Sequence, residues 1–304
     1  MISAIMCTYN RSDTLRRALD SFLAQTCLDE VEHELIVVDN NSTDDTAEVV
    51  NTAVARDSRV RYVFEEEQGL SAARNRGVRE SRGDIVAFLD DDVILDQRWL
   101  ANLETSFAET EAAVVGGRAY LILEGETPEW LDARFRTYLS EVELGPTRCE
   151  VPNGQGLFGL NLSFRKDELS RAGAFDPALG RKGSGLLAGE ETAIVKSIAA
   201  RGGLIIYEPT AVVGHIIAPE RLEWSYFVKV ASSLGVSAAR IRFDHDAMPV
   251  ALARVLCVGI VRLMQGLILL PFGLVLGRRF RAGALRWVYY GLGLLKGAVA
   301  CRQR

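Results

Sequence analysis

Short apolar runs alternate with amphipathic segments through the first 120 residues of the chain. The runs have the length of buried strands and cover residues 2–6, 35–38, 60–64, 85–89 and 113–115. The segments between them, such as residues 46–55, repeat apolar side chains at helical spacing. Strand and helix in alternation predict an α/β fold in which helices cover a mostly parallel sheet.

Charge is distributed unevenly along the chain. All 40 acidic residues precede residue 250, whereas nine of the 35 basic residues follow it. An acidic body argues against a nucleic-acid partner, because phosphate backbones are held by Lys and Arg. The basic and apolar tail favours an anionic membrane surface as a partner.

The cysteines and the first residues indicate a cytosolic compartment. The five cysteines include no Cys-x-x-Cys pair, as expected of reduced thiols. Residues 1–6 lack the basic start and the apolar run of about 7–15 residues that mark a secretory signal. We therefore expect the protein at the cytoplasmic face of the cell membrane, held peripherally or integrally by its C-terminal segment.

The C-terminal segment, residues 247–304, is predicted to be helical and to associate with a membrane. Residues 255–276 would form a helix of about 33 Å, close to the thickness of a bilayer core. Arg262 within it would cost about 2.5–3.5 kcal/mol near the bilayer centre, so a helix lying in the membrane plane competes with a spanning one. A soluble helical hairpin built with residues 282–300 is the remaining alternative.

Polar residues follow three of the predicted strands directly, at residues 7–11, 39–44 and 90–92. Ligands of open parallel sheets bind outside the carboxyl ends of the strands, so these residues are predicted to surround one crevice. They offer an aromatic ring, amides, hydroxyls and carboxylates, which suit a nucleotide with a bound metal.

Asp90, Asp91 and Asp92 form the strongest local signal. Three adjacent carboxylates repel one another unless a cation or water separates them. Mg²⁺ or Mn²⁺, sharing its remaining ligands between a diphosphate and water, is the expected counter-charge. The alternative is a solvated acidic turn that caps the next helix.

The sequence resembles the family 2 glycosyltransferases, which use nucleotide sugars and have the GT-A fold, a Rossmann-like sheet flanked by helices. The matching motifs extend over residues 1 to about 240. They are Thr8-Tyr9-Asn10-Arg11, Val37 to Asp44, Gly69 to Asn75, Phe88 to Asp92, Gly159 to Asn161 with Phe164-Arg165, Gly189 to Thr192, and Pro209 to His215.

The resemblance implies a division of the chain into functional parts. Residues 1–120 would bind the donor, residues 121–246 would form the acceptor-binding and catalytic half of the same GT-A domain, and residues 247–304 would be the tail. Within the second part, the glycine-rich loop at residues 180–185 would fold over the bound donor.

It also implies a donor site. Tyr9 would contact the base, and Asp39 or Asn40 would bond the polar edge of a uracil or thymine in a UDP- or dTDP-linked sugar. Arg74 would contact the diphosphate, and Asp92 with His215 would hold the metal. The remaining donor-binding candidates are Thr8, Asn10, Arg11, Asp90 and Asp91.

The implied reaction is an inverting transfer to a hydroxyl of a saccharide acceptor, which the basic tail suggests is lipid-linked, in surface polysaccharide synthesis. Glu191 would remove the acceptor proton. Glu190 and Glu191 could equally be first-turn acids that stabilise the next helix through its dipole. Trp130, Asn161 and Glu190 are the acceptor-binding candidates, although Trp130 could instead belong to a core.

Two other functions remain open from the sequence. A sugar-phosphate nucleotidyltransferase also combines a parallel sheet with acidic metal ligands, but residues 7–17 lack the glycines that would hold a triphosphate. A non-catalytic scaffold with the same fold is the second, supported by Glu190-Glu191 where the family usually has Glu-Asp.

Overall fold

A computed structural model describes residues 1–26, 28–182, 186, 189–245 and 247–302. Residues 183–185 of the predicted glycine-rich loop lie outside this range. The strands are β1 (Ile2–Thr8), β2 (His33–Asp39), β3 (Val60–Phe64), β4 (Ile85–Asp90), β5 (Val93–Leu95), β6 (Ala112–Leu123), β7 (Cys149–Glu150), β8 (Asn161–Arg165) and β9 (Leu204–Ile217).

The helices alternate with these strands and then form the end of the chain. They are α1 (Ser12–Leu23), α2 (Thr46–Arg56), α3 (Leu70–Glu80), α4 (Trp99–Glu109), α5 (Ala133–Arg136), α6 (Lys166–Ala172), α7 (Glu190–Ala200), α8 (Trp224–His245), α9 (Met248–Leu269), α10 (Gly273–Leu276) and α11 (Arg278–Arg302). The predicted α/β class, with a C-terminal apolar helical segment, is confirmed.

The sheet has the strand order β3-β2-β1-β4-β8-β6-β9-β5, with β7 on β9. β3, β2, β1 and β4 are parallel. The near-continuous burial of β1, β2 and β4 reflects cover on both faces of the sheet. Residues 113–115 form part of strand β6, as predicted, but its expected parallel pairing is wrong. β6 pairs antiparallel with β8, and β8 pairs antiparallel with β4, so β6 runs in the same direction as β4 without pairing with it.

The chain forms two compact units, which we call the sheet unit and the helical unit. The sheet unit contains Met1–Ile122, Ser140–Pro177 and Glu190–Ile216, and the helical unit contains Leu123–Leu139, Ala178–Gly189 and Ile217–Arg304. In the sheet unit, α1 packs its apolar stripe of Leu15, Ala18, Leu19 and Phe22 inward, as an i, i+3, i+4, i+7 pattern requires.

The helical unit places α11 against both α8 and α9. The predicted helix over residues 255–276 is shifted, since α9 begins at Met248 and ends at Leu269. Pro271 follows two residues later and cannot continue the helical hydrogen bonding. By length and composition alone, α9 is the one described helix that could cross a membrane.

Candidate active site

The ends of three parallel strands meet at one edge of the sheet unit. Thr8 at the end of β1 lies opposite Asp39 of β2, and Cys7 lies opposite Asp90 of β4. The predicted convergence of the polar segments at residues 7–11, 39–44 and 90–92 therefore occurs at this edge. Its cause is the parallel register, which aligns carboxyl ends.

The turn after β1 leaves the ring of Tyr9 exposed and holds the side chain of Asn10 by hydrogen bonds. Tyr9 is 37% exposed and offers a face on which a base could stack. Asn10 adopts a left-handed backbone conformation, with φ of 52°. Its Oδ1 accepts from the backbone N–H of Thr43 at 2.7 Å, and its own N–H donates to Ser42 Oγ at 3.0 Å. Asn10 thus ties the first two strand-end loops together.

Asp39 and Asn40 are both buried, but they make different contacts. Asp39 accepts from the backbone N–H of Ser42 at 2.9 Å and from the hydroxyl of Tyr62 at 2.8 Å. Asn40 Nδ2 donates to the carbonyls of Glu65 and Glu67, and its Oδ1 accepts from the N–H of residue 69. The amide of Asn40 therefore holds the 65–69 loop, whereas each oxygen of Asp39 keeps a second lone pair.

The acidic triplet has its own counter-charge in the structure. Arg11 Nη1 donates to Asp91 Oδ1 at 3.0 Å and to Asp92 Oδ2 at 2.8 Å. Burial raises the pKa of Asp91 to about 6, although the Arg11 charge opposes that shift. The two carboxylates lie side by side because Arg11 offsets part of their repulsion.

His215 faces Asp92 across an antiparallel strand pair. Val93 of β5 lies opposite His215 of β9, and this register brings His215 Nε2 within 3.3 Å of Asp92 Oδ1. Both side chains are almost fully buried. An oxygen and a ring nitrogen, both common metal-ligating atoms, thus approach one another at the end of the acidic triplet.

This pair fits a divalent metal as two protein ligands. Among the described residues, no group of three or more His, Cys, Asp or Glu could hold a metal by itself. A cation at Asp92 and His215 would therefore need further ligands from a diphosphate and from water, which is how Mg²⁺ is usually bound at phosphate sites. The residues present match the predicted Mn²⁺ or Mg²⁺.

Arg74 lies at the centre of a second charged cluster, on α3. It is 3% exposed, and its Nη1 donates to Glu190 Oε1 at 2.6 Å. Glu191 Oε2 lies 3.7 Å from Nη1, and Asp90 Oδ1 lies 3.7 Å from Nη2. One guanidinium therefore links the acidic triplet after β4 to the first turn of α7.

Two aromatic rings and a glycine shape the space around this guanidinium. The Arg74 Cζ lies 5.6 Å from the ring centre of Phe88 and 5.7 Å from that of Phe175, distances typical of cation–π contacts. A Cβ at residue 159 would overlap the guanidinium, so Gly159 is needed for its position. Sequence reasoning missed Phe88 and Phe175 in this role, because both read as ordinary core residues.

The Glu190 carboxyl has a raised pKa. Burial, together with the neighbouring Glu191 carboxylate, raises the pKa of Glu190 to about 8 even though Arg74 lies beside it. Glu190 therefore holds its proton near neutral pH.

Glu191 is the member of the pair that is less buried. Its side chain is 13% exposed, compared with 3% for Glu190. Its Oε2 is itself buried and makes no hydrogen bond within the described residues. An incoming hydroxyl would approach the exposed remainder of the side chain, and a carboxylate within hydrogen-bond reach can accept its proton.

The acceptor-binding candidates other than Glu190 lie in different surroundings. Asn161 is buried in the sheet unit and accepts from Trp99 Nε1 at 2.9 Å, while its Nδ2 donates to the carbonyls of Arg118 and Ala211. Trp130 lies in the helical unit, in an aromatic cluster with Phe135, Trp224 and Phe227. The contacts of Asn161 join strands, and those of Trp130 join segments of the helical unit.

A comparison with known protein families finds one that covers the strand-end motifs and Arg74, but not α7 or His215. The sequence model described as Glycosyl transferase family 2 matches residues 3–167. A curated relative from Haloferax volcanii, glucosyl-dolichyl phosphate glucuronosyltransferase, is 28% identical over 233 residues, which cover 75% of this chain and 72% of that protein.

Solved structures share the fold. The mannosyltransferase PcManGT from Pyrobaculum calidifontis, in complex with GDP-Man and Mn²⁺, has a TM-score of 0.66 and 20% identity, and the match covers 97% of this chain and 86% of that one. GalNAc-T7 with UDP, GalNAc and Mn²⁺ has a TM-score of 0.56 and 17% identity, over 79% of this chain and 49% of that one. The expected GT-A fold is confirmed.

Proposed function

Because this chain belongs to glycosyl transferase family 2, we propose that it transfers a sugar from a nucleoside diphosphate to a hydroxyl of a saccharide acceptor, with inversion at the anomeric carbon. The observation that carries the proposal is the position of Arg74, whose guanidinium contacts Asp90 of the acidic triplet and Glu191 of α7. A donor-binding motif and a candidate base thereby lie in one cluster.

Glu191 is proposed as the general base. The acceptor hydroxyl attacks the anomeric carbon, its proton moves to a Glu191 carboxylate oxygen, and the bond from the anomeric carbon to the diphosphate oxygen breaks. Glu190, deeper in the protein and bonded to Arg74, keeps Arg74 and the first turn of α7 in place and borders the acceptor. We assign these two roles because Glu191 is the more exposed of the two side chains.

The donor nucleotide is proposed to be held at the strand ends. Tyr9 stacks on the base, and Asp39 accepts its N–H, since the Asn40 amide is already bonded to the 65–69 loop. A uracil or thymine base, in a UDP- or dTDP-linked sugar, presents such an N–H. Arg11, Arg74 and Asp91 border the diphosphate, and Thr8, Asn10 and Asp90 border the nucleoside.

Asp92 and His215 are proposed to hold Mn²⁺ or Mg²⁺. Such an ion would supply positive charge to the departing diphosphate. The Mn²⁺ in the two similar solved structures supports a divalent cation. Asp92 would also keep its hydrogen bond with Arg11, so the site stays close to neutral when the cation is present.

The acceptor is proposed to be a lipid-linked saccharide at the cytoplasmic face of a membrane, in the synthesis of a surface polysaccharide. The dolichyl phosphate in the name of the Haloferax relative and the basic, apolar residues after 249 support this location. Trp130 and Asn161 are the further residues that we assign to acceptor binding or to its support.

A thermal-shift screen with nucleotide sugars, with and without Mn²⁺, tests the donor site, because a ligand of the folded state raises the melting temperature. We expect a shift with a UDP- or dTDP-linked sugar that needs the metal. Glu191→Gln should retain this shift and lose transfer, whereas exposed Glu104→Gln should retain both. No shift with any nucleotide sugar, or turnover of a nucleoside triphosphate with a sugar phosphate instead, would refute the proposal.

A further inference from the structure

Helix α9 has one buried face and one exposed apolar face. Ala251, Val255, Gly259 and Gly266 are buried. The opposite face, which we call the α9 outer face, consists of Leu256, Ile260, Val261, Met264, Leu267 and Ile268, each between 38% and 61% exposed. A face this apolar on the outside of a protein marks an interaction site.

The buried face is joined closely to α11. A Cβ at Gly291 of α11 would meet the backbone of Gly259 and Leu263 on α9. A Cβ at Gly266 would meet the carbonyl of Ala284. Small residues thus allow the two backbones to touch, so α9 and α11 behave as one layer.

The other side of α11 is joined in the same way to α8. A Cβ at Gly293 would meet the carbonyl of Ser232, and one at Gly235 would meet the carbonyl of Tyr290. Helix α8 carries Lys229, Arg240 and Arg242. If α9 crossed a bilayer with α11 still attached, α8 and its charges would enter the hydrocarbon, which is unfavourable.

The cations near α9 also oppose a spanning position. Arg262, in the C-terminal half of α9, and Arg286 of α11 each place Cζ 4.1 Å from the centre of the Trp287 ring. Both arginines thus stack on a ring of α11, and Arg262 is attached to α9 itself. Positive charge on these helices suits the headgroup level of a bilayer, where basic residues accompany the apolar face of an interfacial helix.

The exposed arginines of the helical unit indicate which lipid headgroups it would bind. Arg254, Arg278, Arg279 and Arg281 are exposed in the same helical unit, and Arg278 and Arg279 also contact Glu129. The chain contains no acidic residue after 249. Exposed Phe272, Val275 and Leu276 extend the apolar surface beyond α9. Anionic headgroups complement this combination.

We propose that α9 lies in the plane of an anionic bilayer surface, with its outer face among the upper acyl chains, and that it does not cross the bilayer. The helical unit thereby anchors the protein on one side of the membrane. This inference rests on the membrane location in the proposed function, but its test needs neither donor nor acceptor.

Flotation with vesicles tests the anchor. The full chain should bind vesicles of phosphatidylglycerol and phosphatidylcholine in equal parts and lose binding with rising salt. The double variant Ile260→Glu/Met264→Glu should bind at least about tenfold more weakly, while Leu144→Glu, the same change at an exposed site of the sheet unit, should bind normally. Equal melting temperatures would show that all three proteins are folded.

Protease protection distinguishes an in-plane helix from a spanning one. With an epitope tag after residue 304 and sealed vesicles, protease added outside should remove the tag if α9 lies in the plane. A protected tag would show that α9 spans and would overturn the inference.

Absence of vesicle binding would overturn the inference as well. So would a dimer that Ile260→Glu/Met264→Glu converts to a monomer, since a second copy would then cover the outer face. If the wild-type chain binds vesicles but transfers no sugar from any nucleotide sugar, the proposed function is refuted and this inference is not.

Discussion

Arg74 Nη1 donates to Glu190 Oε1 across 2.6 Å, and both side chains are almost completely buried. The pair connects α3 to α7, which are far apart in sequence, next to the first residue of the acidic triplet, Asp90. A buried hydrogen bond of this kind is costly to break, because the remaining partner is left buried and unsatisfied.

Replacement of Arg74 by Met should therefore lower the free energy of unfolding by about 1–3 kcal/mol, because Glu190 stays buried without its hydrogen-bond donor. Arg74→Lys should recover part of this loss, since an ammonium can still donate to Glu190 but lacks the planar fork of a guanidinium. Chemical denaturation of the three proteins measures the difference. Wild-type stability of Arg74→Met would show that the pair is not formed in solution.

The raised pKa of Glu190 predicts a pH dependence of stability. A carboxyl group with a pKa of about 8 in the folded protein and 4.5 as a model compound binds its proton more tightly when folded. Its stabilising contribution is full below pH 4.5 and is lost as the pH rises through about 8. Relative to Glu190→Gln, the wild-type protein should lose about 2–4 kcal/mol of stability from about pH 5 to about pH 9. A constant difference between the two proteins across this range, measured by denaturation, would contradict the assignment.

Gly159→Ala should displace the Arg74 guanidinium, because the added Cβ would overlap it. We expect a loss of about 1–3 kcal/mol of stability together with reduced transfer. Gly283→Ala in α11 is the matched control, since a Cβ there meets nothing within 4 Å. It should leave transfer unchanged and raise stability by at most about 1 kcal/mol. Equal effects of the two substitutions would show that Gly159 does not make room for Arg74.

The contact between Arg11 and Asp92 predicts that Arg11 and a metal ion compete for the Asp92 carboxylate. Its guanidinium bonds Asp92 Oδ2 at 2.8 Å, so it both occupies a lone pair and repels an incoming cation. In the absence of donor, Arg11→Met should bind Mn²⁺ roughly threefold to tenfold more tightly than the wild-type protein. Titration of free Mn²⁺ by electron paramagnetic resonance measures this directly. Weaker Mn²⁺ binding by Arg11→Met would instead mean that Arg11 is needed to orient Asp92.

Asn40→Asp tests whether the amide at this position is needed. The new oxygen could not donate to the carbonyls of Glu65 and Glu67, which Asn40 Nδ2 contacts at 3.2 and 2.7 Å. Thermal unfolding should show a loss of about 1–3 kcal/mol. Faster proteolysis within residues 65–69 would locate the effect in that loop, and unchanged stability would show that the amide is not required there.

The residue pattern alone was enough to predict the parallel strands β1 to β4 and the three polar strand ends. Apolar runs such as 85–89 define strands through local burial, and parallel register then aligns their carboxyl ends whatever follows in the chain. Tyr9, Asp39 and Asp92 could therefore be predicted at one edge of the sheet. The GT-A class followed from short motifs, each of which is a contiguous segment of the sequence.

Which charged residues pair depends on long-range packing. The contacts of Arg74 with Glu190 and of Arg11 with Asp91 join residues far apart in sequence, and no local periodicity encodes such pairs. The antiparallel pairing of β6 could not be read from residues 113–115, because a short apolar run has the same pattern in either orientation. Long-range packing selects one partner for each strand and each buried charge, since an unpaired polar group in the interior is costly.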